Sequence, residues 1–138
     1  ANTTTDYLGS WQVMNTSGVD IAKGKIVQVS GVNASGAFLL VELFNTPAVL
    51  VDAPKYVAGM KIINGGNGSV RENYIDTAAL THGAAVGAPI YAAAAGGWTL
   101  AAPGPPSTKA GIVLKVASGL GIADGVVLLA PQARVGAA

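Results

Sequence analysis

The sequence predicts an all-β domain, a small barrel or sandwich of eight to ten short strands with an extended N-terminal arm. Short runs of β-branched and aromatic residues recur along the chain, and turns rich in glycine, proline and asparagine separate them. These turn residues come so often that almost no stretch remains for a helix. An all-β barrel or sandwich is the architecture that this pattern favours.

The length of 138 residues fits one domain with a real core. Residues 1–6 are polar and rich in threonine, so we expect an arm rather than a part of the core. We expect residues 7–131 to form the single β domain and residues 132–138 to form a C-terminal tail. The N-terminus fits a chain that has lost its initiator methionine. It shows no signal-peptide pattern, and a chain whose signal segment has already been cleaved off would look the same.

The first half of the chain contains short apolar runs that predict strands. The run at 38–44 fits either a buried strand or a short helix, and the flanking Gly36 and Pro47 favour the strand. A further short apolar run lies at 48–51. The strands that we predict in this half cover 7–15, 25–31, 38–44 and 60–63.

The stretch 83–100 predicts a β-hairpin. Pro89 begins a short apolar run, and the pair Gly96-Gly97 can supply the positive φ angles of a tight turn. Trp98 then resumes an extended pattern, since tryptophan favours a pleated surface. The run of four alanines between Pro89 and the glycines is too short to nucleate a helix.

The remaining second-half segments predict two more strands and one helical turn. The runs at 111–117 and 126–130 are apolar, rich in β-branched residues and bounded by glycine or proline. The segment 76–80 predicts a single helical turn that Asp76 would cap.

Two stretches share a pattern of turn glycine, apolar residue, glycine and strand. They read Gly18…Ile21…Gly24…Val27 and Gly83…Val86-Gly87…Ile90. Their spacing differs slightly, so the pattern suggests an internal repeat, while two β-corners built independently would look much the same.

Composition points to an assembly. Charged residues make up 11% of the chain, against about 25% in an ordinary soluble domain. Hydrophobic residues make up 51%, and the mean hydropathy is +0.48. This apolar excess must be buried in a core or against other subunits. The alternative is an alanine-rich domain that remains monomeric.

Several partners are not expected. The net charge is +1 and the basic residues are scattered, so we expect no nucleic acid. No run reaches the roughly 18–20 apolar residues that span a bilayer, so we expect no membrane. The chain has no cysteine, which excludes disulfides and thiolate metal sites.

The sequence also offers no catalytic motif, so we expect no enzyme, cofactor or metal. The acidic residues lack the short spacing of a metal or acid–base motif, and no serine lies in a Gly-x-Ser-x-Gly elbow. The single histidine, His82, sits beside a turn glycine, where a solvated role is expected. The run 65–68 lacks the Gly-Lys-Ser/Thr ending of a P-loop. A deep polar pocket lined by Asp76, His82 and Asp124 would revive an enzyme.

Segments of the second half follow one another in a characteristic order of corner, hairpin, apolar strand and closing strand. They read Gly83-Ala84-Ala85-Val86-Gly87-Ala88-Pro89-Ile90-Tyr91, Gly97-Trp98-Thr99-Leu100, Gly111-Ile112-Val113-Leu114 and Gly125-Val126-Val127-Leu128. This order resembles small virion proteins of tailed bacteriophages, in particular the capsid decoration (cement) proteins. The earlier corner Ile21-Ala22-Lys23-Gly24-Lys25-Ile26-Val27 is similar to the N-terminal corner of that family. Lys25 and Ala88 stand where the family frequently has an acidic residue.

The resemblance implies a structural virion protein that binds the outer surface of a phage capsid as a homotrimer. There it would bridge subunits of the major capsid protein and stabilise the shell. On this reading the residues expected to contact the capsid or another subunit are Thr3, Thr4, Thr5, Tyr7, Leu8 and Trp11. For Trp11 a place in the core is the alternative. Phage tail-fibre modules carry a similar pattern, so the alternative is a tail-fibre or receptor-binding module that takes glycans through Trp98 and Tyr91.

Overall fold

The computed structural model describes residues 10–36, 38–44, 54–101 and 108–131. The fold is all-β, as the sequence predicts, and a short 3-10 turn lies at Ala94–Gly96. The strands are β1 (Ser10–Asn15), β2 (Ile26–Val32), β3 (Leu39–Leu43), β4 (Lys55–Ala58), β5 (Asn67–Arg71), β6 (Tyr74–Ala79), β7 (Pro89–Ala92), β8 (Trp98–Thr99), β9 (Lys109–Lys115) and β10 (Gly125–Leu129). The predicted arm at 1–6 and tail at 132–138 lie outside the described residues, as does the run at 48–51.

The first five strands form a closed barrel in the order β1-β3-β2-β4-β5. β1 and β3 pair in parallel, and the other neighbours pair antiparallel. Alternate side chains along each strand point inward, which fills the barrel with small branched residues. The buried residues of this interior are Val13, Ile21, Val27, Val41, Ala58, Ile62 and Val70.

The last five strands form a second sheet in the order β6-β10-β9-β7-β8, with every neighbouring pair antiparallel. The sheet curls like half a barrel but stays open, because its end strands β6 and β8 do not pair. The predicted hairpin at 83–100 is confirmed as β7 and β8. In the turn between β7 and β8 the positive φ angles fall at Ala95 (58°) and Gly96 (74°), whereas Gly97 is extended.

The two halves repeat one topology. Counted from the first strand of each half, the order first-fifth-fourth-second-third describes both the barrel and the open sheet. The corner glycines also match: φ is 89° at Gly18 and 91° at Gly83, then 86° at Gly24 and 88° at Gly87. The repeat suggested by the sequence pattern is therefore present in strand order and corner geometry. The halves differ at one pairing, since β1 pairs with β3 while β6 and β8 stay apart.

One core joins the halves. Ile26, Phe44 and Val57 are buried on the outside of the barrel and pack with the inner face of the second sheet. The hairpin tip adds a backbone contact, because the Gly96 N–H donates to the Phe44 carbonyl at 2.8 Å. The residues of the second sheet in this cluster are Ala79, Ile90, Ala92, Ala110, Val113, Val127 and Leu129.

Two sequence-based expectations are corrected. The helical turn predicted at 76–80 is wrong, because residues 76–79 belong to strand β6 and Leu80 follows its end. Asp76 does cap a backbone N–H two residues on, but it does so on a strand edge, where its Oδ1 accepts from Ala78 at 2.9 Å. The strand predicted at 60–63 shrinks to an isolated bridge between Ile21 and Ile62.

Candidate functional surface

The predicted contact residues lie at or beyond the start of the barrel. Trp11 belongs to β1, where its backbone lies opposite Val70 of β5. The other five expected contacts lie outside the described residues. These are Thr3, Thr4, Thr5, Tyr7 and Leu8.

The three residues that would revive an enzyme have separate structural surroundings. His82 is exposed in a turn, as expected. Asp124 accepts the Ser118 N–H at 2.8 Å, and the hydrogen bonds from Ser118 lower the pKa of the Asp124 carboxyl. Asp76 serves the β6 edge. Within the described ranges, no group of three or more His, Asp or Glu side chains is placed to hold a metal ion.

The glycine-rich run at 65–68 has a packing role. Gly65 donates its N–H to the Asn15 carbonyl at 3.0 Å, and the Asn15 N–H donates to Gly66 at 2.9 Å. The buried Asn15 amide also donates to the carbonyls of Val19 (2.7 Å) and Ile62 (2.9 Å). The run is therefore held by hydrogen bonds to Asn15. The Gly65 N–H already has a partner within the protein, so it is not available to a phosphate.

A row of uncharged side chains crosses the outer face of the second sheet. Ile75 on β6 lies opposite Leu128 on β10, Leu128 lies opposite Ile112 on β9, and Ile112 lies opposite Pro89 on β7. We call these four residues the apolar row. Ile75 is 57% exposed and Ile112 is 39% exposed, and Leu114, two residues along β9, is 40% exposed.

The apolar row lies outside because strand side chains alternate. The neighbours Ile90, Val113 and Val127 point into the core and are fully buried. Cross-strand partners stand about 5 Å apart, so the row forms a continuous apolar strip rather than scattered residues. Such a strip on an uncovered sheet face is typical of an interaction surface.

A groove runs between β6 and β8, whose facing edges pair with no other strand of the described residues, and we call it the seam. Its upper part is a shallow, open depression of about 510 Å³ between Ala78–Leu80 on one side and Thr99–Ala101 on the other. Asp76 and Trp98 line this part and also the adjoining lower part, which encloses about 350 Å³. The lower part is bounded by Lys23, Gly24, Lys25, Tyr74, Gly96 and Gly97.

On both edges of the seam a side-chain oxygen accepts a hydrogen bond from a backbone N–H group. Asp76 Oδ1 accepts the Ala78 N–H at 2.9 Å, and Thr99 Oγ1 accepts the Ala101 N–H at 3.4 Å. Edge strands are commonly protected in this way against uncontrolled pairing. The long contact at Thr99 is weak, so this edge is the easier one to pair.

Sequence reasoning missed both surfaces. The alternation of Ile112 and Leu114 with Val113 carried a usable signal, because a strand with apolar residues on both faces needs cover on both faces. The seam had no signal in the sequence, since it depends on which strands become neighbours.

None of the helical turns in the described part of the chain is long and apolar enough to cross a bilayer.

Comparisons with known proteins identify no relative. No protein-family model, curated protein or solved structure matches the chain significantly.

Proposed function

We propose that this chain is a structural virion protein that binds the outer surface of a tailed-phage capsid as a homotrimer. In this function it bridges subunits of the major capsid protein and so stabilises the shell. The observation that carries the proposal is the apolar row, an uncovered strip across four strands of a protein with few charges. The resemblance of the hairpin and the strands after it to decoration proteins supplies the choice of partner.

Burial of the apolar row is the physical basis. Covering Ile75 and Ile112 contributes on the order of 1 kcal/mol each, since about half of each side chain is still exposed. These gains are small for one contact. They add up when three copies join and each copy also touches the shell, because linked contacts raise the effective concentration of one another.

The N-terminal residues complete the proposed contact set. Trp11 is the second residue of β1. The other expected contact residues precede this strand in the sequence: Thr3, Thr4, Thr5, Tyr7 and Leu8. We propose that they contact the capsid or another subunit. The function needs no catalytic residue, cofactor, nucleic acid or membrane.

Self-association is tested by placing a charge in the apolar row. We expect the wild-type protein to show a mass near three times 13.6 kDa in sedimentation velocity, and Ile112→Asp to shift it to the monomer. Val32→Asp is the matched control, because Val32 is 53% exposed at the end of β2 in the barrel. Equal association of all three proteins would contradict a role for the row.

Capsid binding is tested separately, because a trimer can also form first on the shell. Purified protein is added to undecorated tailed-phage capsids, and bound protein is measured after pelleting. We expect saturable uptake and a higher capsid melting temperature, both reduced in Ile112→Asp. No uptake together with an unchanged melting temperature would contradict the proposed function.

The alternative function is a tail-fibre or receptor-binding module. It relies on Tyr91 and Trp98, which lie on paired strands, with Tyr91 opposite Thr99 and Trp98 opposite Ala92. Both side chains are half-buried, and Trp98 packs against the core. That setting leaves less aromatic surface for stacking on a sugar than the sequence suggested. Hits on a glycan array that disappear in Trp98→Ala would favour this alternative.

A further inference from the structure

We propose that the lower part of the seam binds a carboxylated sugar, the chemical class that includes the hexuronic and sialic acids. Its lining includes Lys23, Lys25, Tyr74, Asp76 and Trp98, and none of these residues belongs to the apolar row. The inference therefore goes beyond the proposed capsid function, and either one can fail while the other holds.

Three segments far apart in the chain build this site. Residues 23–25 come from the corner before β2, Tyr74 and Asp76 from β6, and residues 96–98 from the hairpin turn and β8. The site thus lies where the two halves of the molecule meet, and junctions of this kind often hold ligands. Its volume of about 350 Å³ is at the small end of the range of about 300–1,000 Å³ for small-molecule sites. This size suits a single sugar ring.

Two glycines hold the walls of the site close together. A Cβ added at Gly24 would stand 3.4 Å from Cε2 of Tyr74, so the tyrosine ring packs directly on the corner. A Cβ added at Gly96 would stand 3.2 Å from Cβ of Lys25, so the stem of this lysine lies against the hairpin turn. Tyr74 and Lys25 are both half-buried. A ligand does not have to order these packed walls, which lowers the cost of binding it.

The site contains hydrogen-bond donors that the protein itself does not use. Within the described ranges, neither Lys23 nor Lys25 has a carboxylate within 4.0 Å. In the same part of the chain, the Tyr74 hydroxyl and the Trp98 indole N–H make no hydrogen bond. Two positive charges beside unused donors suit a negatively charged ligand with several acceptor oxygens. A carboxylate has this chemistry, because charge-assisted hydrogen bonds to it are the strong kind.

Asp76 indicates a sugar rather than a simple anion. Its Oδ1 accepts the Ala78 N–H at 2.9 Å, while its Oδ2 has no partner among the described residues. This second oxygen can accept a hydrogen bond from a ligand hydroxyl, which a simple anion such as acetate does not offer. A neutral sugar, in turn, leaves the two lysines without a counter-charge. A carboxylated sugar satisfies both sides of the site.

An NMR titration tests the site with four probes. D-glucuronate and N-acetylneuraminate carry a carboxylate and hydroxyls, whereas D-glucose lacks the carboxylate and acetate lacks the hydroxyls. We expect at least one carboxylated sugar to shift the amide signals of Lys25, Asp76 and Gly97 saturably, with a Kd on the order of 1 mM for so small a ligand. Glucose and acetate are expected to bind about tenfold more weakly or worse, because each makes only part of the contacts.

Three results of this titration would overturn the proposal. The first is the absence of saturable shifts with both carboxylated sugars. The second is equal binding of acetate, which would show a site for any small anion. The third is equal binding of glucose, which would show that the lysines do not take part.

A glycan array separates two sources of the same ligand chemistry. Binding to glycans that end in a carboxylated sugar, without binding to the neutral forms of the same glycans, would identify the end of a glycan as the ligand. An array without hits, together with a positive titration, would identify the free sugar.

Charge variants test the part that the lysines play. Lys25→Gln keeps much of the stem but removes one of two charges, so we expect about threefold to tenfold weaker binding of the carboxylated sugar. Lys61→Gln is the matched control, because Lys61 is exposed, lies 3.8 Å from Asp20 and does not line the site. Raising the NaCl concentration from about 20 to about 200 mM should also weaken binding to the wild-type protein, since salt screens the lysine charges. Equal Kd values for the two variants, or a Kd that does not change with salt, would overturn the proposal.

Discussion

At the scale of single residues, one buried polar side chain in each half binds backbone groups close to the end of that half's first strand. Asn15 ends β1 and bonds the carbonyls of Val19 and Ile62. Thr81 lies two residues beyond β6; its Oγ1 donates to the Lys115 carbonyl at 2.9 Å and accepts the Ala117 N–H at 2.7 Å. Each side chain forms hydrogen bonds with backbone groups that have no strand partner where the chain turns. Buried polar groups are tolerated when they are hydrogen-bonded in this way.

The Thr81 contacts predict a stability cost for an isosteric change. Thr81→Val keeps the volume but leaves the Lys115 carbonyl and the Ala117 N–H without this partner. We expect a loss of about 1–3 kcal/mol in the free energy of unfolding, measured by urea denaturation. Thr77→Val is the control, since Thr77 is exposed on β6 and its change should stay within about 0.5 kcal/mol. Equal costs for both variants would show that the hydrogen bonds of Thr81 contribute little.

A second residue-scale prediction concerns the close approach of β9 and β10. A Cβ added at Gly111 would lie 1.7 Å from the Leu128 carbonyl oxygen, and φ there is 150°. Gly111→Ala must push the strands apart, so we expect a loss of about 3 kcal/mol or more. Gly121 also has a positive φ (76°) but open space around a new methyl, so we expect Gly121→Ala to cost about 1–2 kcal/mol from the backbone alone. Thermal unfolding of both variants separates the steric cost from the backbone cost.

At the scale of elements, the connection between β9 and β10 depends on one carboxylate. The Ser118 N–H donates to Asp124 Oδ1, and the hydrogen bonds from Ser118 hold the pKa of Asp124 below its usual value of 3.8. A carboxyl whose pKa is lowered by folding stabilises the fold above its unfolded pKa. That contribution disappears as the pH falls through the lower folded pKa.

Asp124→Ala should therefore be less stable than wild type at pH 7. We expect the difference to shrink as the pH is lowered below about 3.9, where wild type loses the same contribution. Urea unfolding at a series of pH values between 7 and 2 measures it. Asp124→Asn, which keeps an acceptor without the titrating group, serves as the control. A constant difference across the range would contradict the role of ionisation.

The sequence predicts an element correctly where the local residue pattern and the tertiary pairing favour the same structure. Strands such as β9 and β10 could be predicted, because β-branched runs bounded by glycine or proline favour a strand wherever they lie. Segment 76–80 could not, since its aspartate and alanines favour a capped helical turn and pairing with β10 overrides that preference. Alternation along β9 indicates that Ile112 lies on the outer face, but it does not say which residues of other strands stand beside it. The seam depends on pairing between β6 and strands far along the chain, so the sequence does not indicate it.

At the scale of the whole molecule, the repeated topology does not produce two independent barrels. The outside of the first barrel supplies part of the core that covers the second sheet. An open sheet exposes its inner face unless something packs against it, so the second half relies on the first for burial. The apolar row lies on this second half, whereas the lower part of the seam is also bounded by Lys23, Gly24 and Lys25 of the first half.

The shared core predicts one cooperative unfolding transition that a barrel residue controls. Phe44 follows β3 and is 2% exposed, packed in the cluster with Val127 and Leu129 of the second sheet. Phe44→Ala should cost about 3–5 kcal/mol, and amide exchange should rise in β10 as much as in β2. Leu120→Ala is the control, because Leu120 is 85% exposed in the β9–β10 connection. Faster exchange in β2 with β10 unchanged, or two separate calorimetric transitions, would show that the halves fold independently and that the second sheet needs another cover.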